Sequence, residues 1–149
     1  MQKNYTIQAE DDHLATIQFL EDRLYEYNST KLNTGDGRLF SGIVRGENNE
    51  IIAGIAGWTW AGICEITQLW VDGPARSTGV GKMLLEAAEA EAYGRGCRTI
   101  LVRTFSFQAP EFYRKYGFRT IQVLDDFPPG HHYYILTKRL PGLLPQPEP

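Results

Sequence analysis

Residues 38–71 read RLFSGIVRGENNEIIAGIAGWTWAGICEITQLWV, and no other stretch restricts the fold as much. Three runs rich in β-branched and aromatic residues, 38–45, 51–60 and 63–71, are separated only by GENNE and AG. Turns this short join antiparallel neighbours, so the middle of the chain reads as a three-stranded meander.

The elements on either side follow from periodicity. Upstream, residues 5–9 alternate as a first strand, and Asp11 and Asp12 offer an N-cap. Leu14, Ile17, Leu20 and Leu24 recur at helical spacing, which predicts a helix to about Tyr27, before the turn-rich NSTKLNTGDG. Downstream, Val80, Met83, Leu84, Ala87 and Ala88 share one face of a helix from about Gly79 to Tyr93, ended by Gly94 and Gly96. A strand (RTILVRTF), a short helix (QAPEFYRKY), a strand (GFRTIQVL), a turn (DDFPPGHH) and a last strand (YYILTKRL) complete the order β-α-β-β-β-α-β-α-β-β. This is a mixed α/β chain with one sheet and no internal repeat. Residues 1–140 are expected to form a single domain, and the proline-rich residues 141–149 a loose tail.

A chain of 149 residues is long enough to bury a core, and 42% hydrophobic with 22% charged residues is ordinary globular composition. The formal net charge of −3 provides no basic field for a nucleic-acid backbone. No run of 18 apolar residues spans a membrane, and MQKNYTIQAEDD is no signal peptide, so the expected place is the cytoplasm. Cys64 and Cys97 fit neither a disulfide framework nor a zinc spacing and read as small buried hydrophobes in a reducing compartment; no metal is expected.

The loop before the second helix, ARSTGVGKMLL, invites a nucleotide reading. A Walker A loop would need Gly at position 76 and Ser or Thr at 83, where Arg76 and Met83 stand. A dinucleotide fingerprint would need Gly or Ala at 84, where Leu84 stands. What remains is R-x-x-G-x-G at Arg76, Gly79 and Gly81, between a strand and a helix N-terminus. Unpaired N–H groups and the helix dipole favour a phosphate there. The pattern alone leaves two readings: a phosphate-binding loop, or a strand-to-helix turn that binds nothing.

This loop resembles the acetyl-CoA loop of the GNAT acetyltransferases, Q/R-x-x-G-x-G/A. Glu65 stands eleven residues before Arg76, where family members often carry a Glu. SFQAPEFYRKYGF is similar to the family helix N-x-x-A-x-x-x-Y-x-x-x-G-F at Ala109, Tyr113, Gly117 and Phe118, with Ser106 in place of the Asn. The strong resemblance spans 63–118. It implies a GNAT fold: a central, mostly antiparallel sheet with a splayed parallel strand pair and helices on both faces. It also implies acetyl-CoA as cosubstrate and direct N-acetyl transfer, without a covalent enzyme intermediate.

The resemblance assigns roles residue by residue. The pyrophosphate falls to the loop Arg76, Ser77, Thr78, Gly79, Val80, Gly81 and Lys82, and the pantetheine arm to the strand edge at Leu69, Trp70 and Val71. Ser106 takes the place of the Asn that contacts the cofactor, with a shorter side chain. Glu65 is the candidate base, because an amine of pKa near 10.4 is neutral in only about one molecule in a few thousand at pH 7. Tyr113 is the candidate acid for the thiolate. Phe112 and Tyr116, at i and i+4, are the expected core stripe, leaving Tyr113 about 100° round and facing the cleft.

The acceptor side is expected in residues 21–37 and 125–132. These hold Glu21, Asp22, Tyr25, Glu26, Tyr27, Asp125 and Asp126, with Tyr133 beside them and Trp58 and Trp60 on one strand face. Carboxylates and aromatic walls suit a small cationic amine; an ordinary solvated helix face is the plain alternative. His131 and His132 are expected in an exposed turn. The expected partner is a small-molecule amine rather than nucleic acid or membrane, with homodimerisation left open. A protein or peptide acceptor, and a catalytically silent acyl-CoA-binding module, are the alternatives; retention of both Glu65 and Tyr113 favours the enzyme.

Overall fold

The computed structural model describes residue 1 and residues 3–142, so all but Pro141 and Gly142 of the expected loose tail lies outside the described residues. The chain falls into two compact units, Met1–Gly35 and Asp36–Pro149.

The first unit is built on α1 (His13–Leu32). Asp12 caps it, its carboxylate accepting from the Ala15 N–H at 3.0 Å. The helix runs five residues past the expected end at Tyr27. Thr30 returns its hydroxyl to the Glu26 carbonyl at 2.8 Å, so a turn-forming residue is accommodated inside the helix. Asn33, at φ 51°, then closes it in the left-handed region. The strand expected over 5–9 is absent: those residues have no regular secondary structure. Alternation marks a strand only where a partner edge exists to pair with it.

The second unit holds β1 (Arg38–Arg45), β2 (Ile51–Trp60), β3 (Ile63–Val71), α2 (Val80–Gly94), β4 (Thr99–Phe105), α3 (Pro110–Lys115), β5 (Arg119–Asp125) and β6 (His132–Arg139). Six strands make one sheet in the order β1-β2-β3-β4-β6-β5. Only β3 and β4 are parallel, joined through α2; the other neighbours are antiparallel. The β2–β3 turn is the two-residue AG, with Ala61 at φ 49° and Gly62 at φ 81°, the geometry that matches the strand twist.

Alternation sorts β2 cleanly. Ala53, Ile55 and Thr59 are buried, and they meet Phe40, Cys64, Ile66, Ile100, Val102 and Leu136 beneath Leu84, Leu85, Ala88 and Ala92 of α2. Tyr113 and Phe118 close the same core. Buried Thr59 is satisfied by Arg95, whose Nη1 donates to its hydroxyl at 3.1 Å. Both cysteines are free and buried, as expected, and burial pushes the Cys64 thiol up to about 12.

The β2–β3 ladder slips at one point. Gly57 pairs with Ile66 and Ala56 with Gln68, leaving Thr67 as an extra residue, a bulge. Gly57 is required beside it: a Cβ there would lie 2.2 Å from the Glu65 carbonyl oxygen and 2.6 Å from the Phe40 ring.

Candidate active site

The bulge falls where β3 and β4 part. Their parallel pairing runs from Ile63↔Thr99 to Ile66↔Val102 and stops. Beyond it, Leu69, Trp70 and Val71 pair only with β2, through Ile55, Gly54 and Ala53. Arg103, Thr104 and Phe105 pair only with β6. The facing edges are left open, a gap that an extended chain of amides can enter as an added strand.

At the head of this gap lies the loop that leads into α2. Arg76 fixes its start by donating from Nε to the Val71 carbonyl at 3.1 Å, leaving its terminal nitrogens without a partner among the described residues. Ser77 and Gly79 take positive φ, 61° and 90°. The Thr78 hydroxyl donates to the Ala75 carbonyl. The first helical bond of α2 is made by Met83 N–H to the Gly79 carbonyl. The N–H groups of Ser77, Thr78, Gly79, Val80, Gly81 and Lys82 therefore have no acceptor among the described residues. A run of free donors at a helix N-terminus is the physical requirement for an anion. Gly81 serves packing: a Cβ there would sit 3.3 Å from the Phe112 ring, so its smallness lets α3 approach α2.

Glu65 is in β3, between the buried Cys64 and Ile66, so it points to the face away from α2. Its Cα partners are Trp58 and Leu101. The carboxylate is 17% exposed and its Oε1 lies 3.4 Å from Nε of Arg103, which is half-exposed. Arg103 escaped the sequence reading. Its signal was the parity of ILVRTF, which puts Arg103 on the face opposite Val102 and Thr104; the parallel register then makes it a diagonal neighbour of Glu65.

Tyr113 lies on the other side of the sheet, in the core beneath α2. The expected core stripe is thereby reversed. Tyr113 is 6% exposed, while Phe112 and Tyr116 are half-buried around it. Six residues of helix are too short for an i, i+4 face to decide burial; what decides it is the Phe118 ring, 5.5 Å from Tyr113. Burial pushes the phenol up to about 12, so it stays protonated through the neutral range. Its hydroxyl has no hydrogen-bond partner among the described residues.

Ser106 is tied to β6: its backbone N–H donates to the His132 carbonyl at 2.8 Å and its hydroxyl accepts from the His132 N–H at 3.1 Å. It anchors a patch of rings the sequence reading missed. Phe105 stacks on Phe107 at 5.2 Å, on Phe127 at 6.5 Å and against Tyr133 at 4.6 Å. Phe107 and Phe127 remain exposed, and Asp125 beside them pairs with His132 Nδ1 at 2.9 Å. The histidines are exposed as expected, but His132 is the first residue of β6 rather than part of the turn.

The comparisons agree with this geometry. The Acetyltransferase (GNAT) family model matches residues 4–118. The blasticidin-S acetyltransferase of Streptomyces morookaense is 39% identical over 99 residues, covering 64% of this chain and 71% of the relative. An acetyltransferase of Agrobacterium fabrum is 31% identical over 120 residues, 80% of this chain and 88% of the relative. A crystal structure of an acetyltransferase from Bacillus cereus superposes with a TM-score of 0.75 at 34% identity, over 90% of this chain and 98% of that one. The open β3–β4 gap, the donor-lined loop and these relatives lead to one conclusion: the chain belongs to the GNAT family of acetyltransferases.

Proposed function

We propose that the chain transfers an acetyl group from acetyl-CoA to a primary amine of a small molecule. One observation carries the reading: a β-strand edge left open beside Leu69, Trp70 and Val71 leads into the six free N–H groups of residues 77–82. That sequence of features suits a ligand made of an amide arm and a pyrophosphate. The arm would pair along the β3 edge, and the phosphates would take the N–H groups and the free Arg76 nitrogens. When bound, acetyl-CoA supplies an acetyl thioester.

In this reading Glu65 accepts a proton from the acceptor ammonium, directly or through one water, and so generates the neutral nucleophile. Arg103 holds the carboxylate in place. The amine nitrogen bonds to the acetyl carbon as the carbon–sulfur bond breaks; Tyr113 donates its phenolic proton to the departing sulfur, the second proton shed by the nitrogen on becoming an amide passes to solvent, and solvent returns a proton to Tyr113. Glu65 and Tyr113 lie on opposite faces of the sheet, so this reading has the two proton transfers act from opposite sides of the thioester. Direct transfer needs no further nucleophile; Cys64, raised to about 12 by burial, is not one.

A small acceptor is supported by the exposed rings Phe107 and Phe127 with Asp125 and Asp126 nearby in sequence, a surface for a flat or cationic group. The relative named for blasticidin-S, an acetyltransferase for a small molecule, points the same way. The test is thiol release from acetyl-CoA across a panel of amines. Release with a small amine, and none with peptides, is the expected result; release only with a peptide or protein lysine would overturn the acceptor class.

A further inference from the structure

The far end of the sheet, away from the loop before α2, carries a second donor-rich feature. Thr99, Gly117, Arg119, Thr137 and Arg139 line a cavity of about 660 Å³. Thr99 pairs with Arg139 across β4 and β6, and Arg119 pairs with Thr137 across β5 and β6. Three adjacent strands thus bring two guanidinium groups and two hydroxyls to one concave patch. Among the described residues, none of these four side chains has a hydrogen bond or an ion pair. Two neighbouring cations are already matched: Lys138 with Glu89 at 2.8 Å, and Arg114 with Glu111. Two unmatched arginines converging in a chain of net charge −3 are a local reversal of its overall sign.

We propose that this cavity binds a small oxyanion, a phosphate or a carboxylate, through Arg119 and Arg139 with the Thr99 and Thr137 hydroxyls completing the shell. Guanidinium forks match the oxygen geometry of both groups, and threonine hydroxyls can donate to the remaining lone pairs. The cavity holds no carboxylate side chain that would compete. It is distinct from the loop at residues 76–82, which follows the opposite end of β3.

The oxyanion has two possible sources. It could be a free small anion, or the anionic group of the acceptor itself; the second rests on the acetyl-transfer reading. Register makes the second source geometrically reachable. Glu65 pairs with Leu101, Leu101 with Thr137, and Thr137 with Arg119. Three strand spacings separate the carboxylate's strand from Arg119, about 14 Å along one sheet face.

The experiment titrates inorganic phosphate at constant ionic strength and follows backbone amide signals by NMR. Expected are saturable shifts at Thr99, Gly117 and Thr137, separate from any at residues 77–82, and at least about tenfold weaker binding at the first set in the Arg119→Gln/Arg139→Gln double variant. Both arginines lack partners, so the double variant should keep its melting temperature. The Arg119→Lys/Arg139→Lys variant, which keeps charge but loses the fork, should fall between. Drift no greater than sodium chloride produces, or saturation that survives the glutamine variant, overturns the site. The source is then read kinetically with paired amines that differ by one carboxylate. Phosphate competing only with the carboxylated amine assigns the anion to the acceptor; competition with neither assigns it to a free oxyanion. Failure of every amine to react would count against acetyl transfer while leaving the phosphate titration intact.

Discussion

Arg103 Nε and Glu65 Oε1 lie 3.4 Å apart across the parallel strands β4 and β3, beside the last rungs before those strands separate. The pair ties the two edges of the gap together from one face, and it holds the proposed base by a single charged contact. Arg103→Met should therefore lower turnover by roughly tenfold, while stability changes by no more than about 1 kcal/mol, because the pair is partly solvated. Arg103→Lys should restore part of the rate. Equal turnover in all three proteins, measured by thiol release, would remove Arg103 from the mechanism.

Glu65→Gln keeps the size of the side chain and removes the base. Its turnover should be depressed most near neutral pH and recover relative to wild type as pH rises, because the free amine then forms in solvent. Acetyl-CoA affinity should hold. A pH–rate profile from 6 to 9.5 on one good amine decides the matter: a constant ratio would assign Glu65 to acceptor positioning.

Tyr113→Phe should fold normally, since the hydroxyl it removes has no partner among the described residues. Turnover should fall by about 10²-fold if the phenol is the general acid. Unchanged turnover would return Tyr113 to a packing role.

Alkaline stability carries a linked signature. Tyr113 and Cys64 are both raised to about 12 by burial, from ordinary values of 10.0 and 9.0. Each group stays protonated in the folded chain at pH values where the unfolded chain has released the proton. Their contribution to stability should therefore be constant below about pH 9 and fall from there to about 12. Tyr113→Phe should flatten the part of the decline above about 10, as read from urea midpoints at stepped pH.

The glycines separate by mechanism. Gly79→Ala meets nothing within 4 Å but must hold φ 90°, a cost of about 1–2 kcal/mol. Gly81→Ala has ordinary helical geometry but presses the Phe112 ring, so its defect should appear in the packing of α3. Gly57→Ala collides with backbone and should not yield folded protein. Arg76→Ala should leave the fold intact and weaken acetyl-CoA binding.

Local chemistry wrote the meander into the sequence: AG demanded a two-residue hairpin, and the strand ends 45, 51, 60, 63 and 71 fell where the turns put them. The glycine loop was equally legible, because free N–H groups follow from helix geometry alone. Three things depended on tertiary contacts and were not readable. Residues 5–9 alternate without gaining a partner strand. Tyr113 is inside because Phe118 and the short α3 set its direction, which no periodicity over six residues can show. Arg103 and the ring cluster around Phe105 arise from register between strands distant in sequence, as does the pairing of Arg119 with Thr137.

Thr67 changes the parity of β3. Before it, Cys64 and Ile66 face the core; after it, Leu69 and Val71 do, although strict alternation from Cys64 would have sent Gln68 and Trp70 inward. The strand therefore behaves as two segments in different phase, joined by one residue. The first segment stays zipped to β4 and carries Glu65; the second is unzipped and offers its edge to the cosubstrate. Insertions or deletions in one segment need not disturb the phase of the other, so acceptor chemistry and donor binding can diverge independently within a single strand. Deleting Thr67 would remove the bulge and still leave Leu69 and Val71 facing the core; straightening the bulge with Thr67 retained would instead turn Gln68 and Trp70 into the space beneath α2.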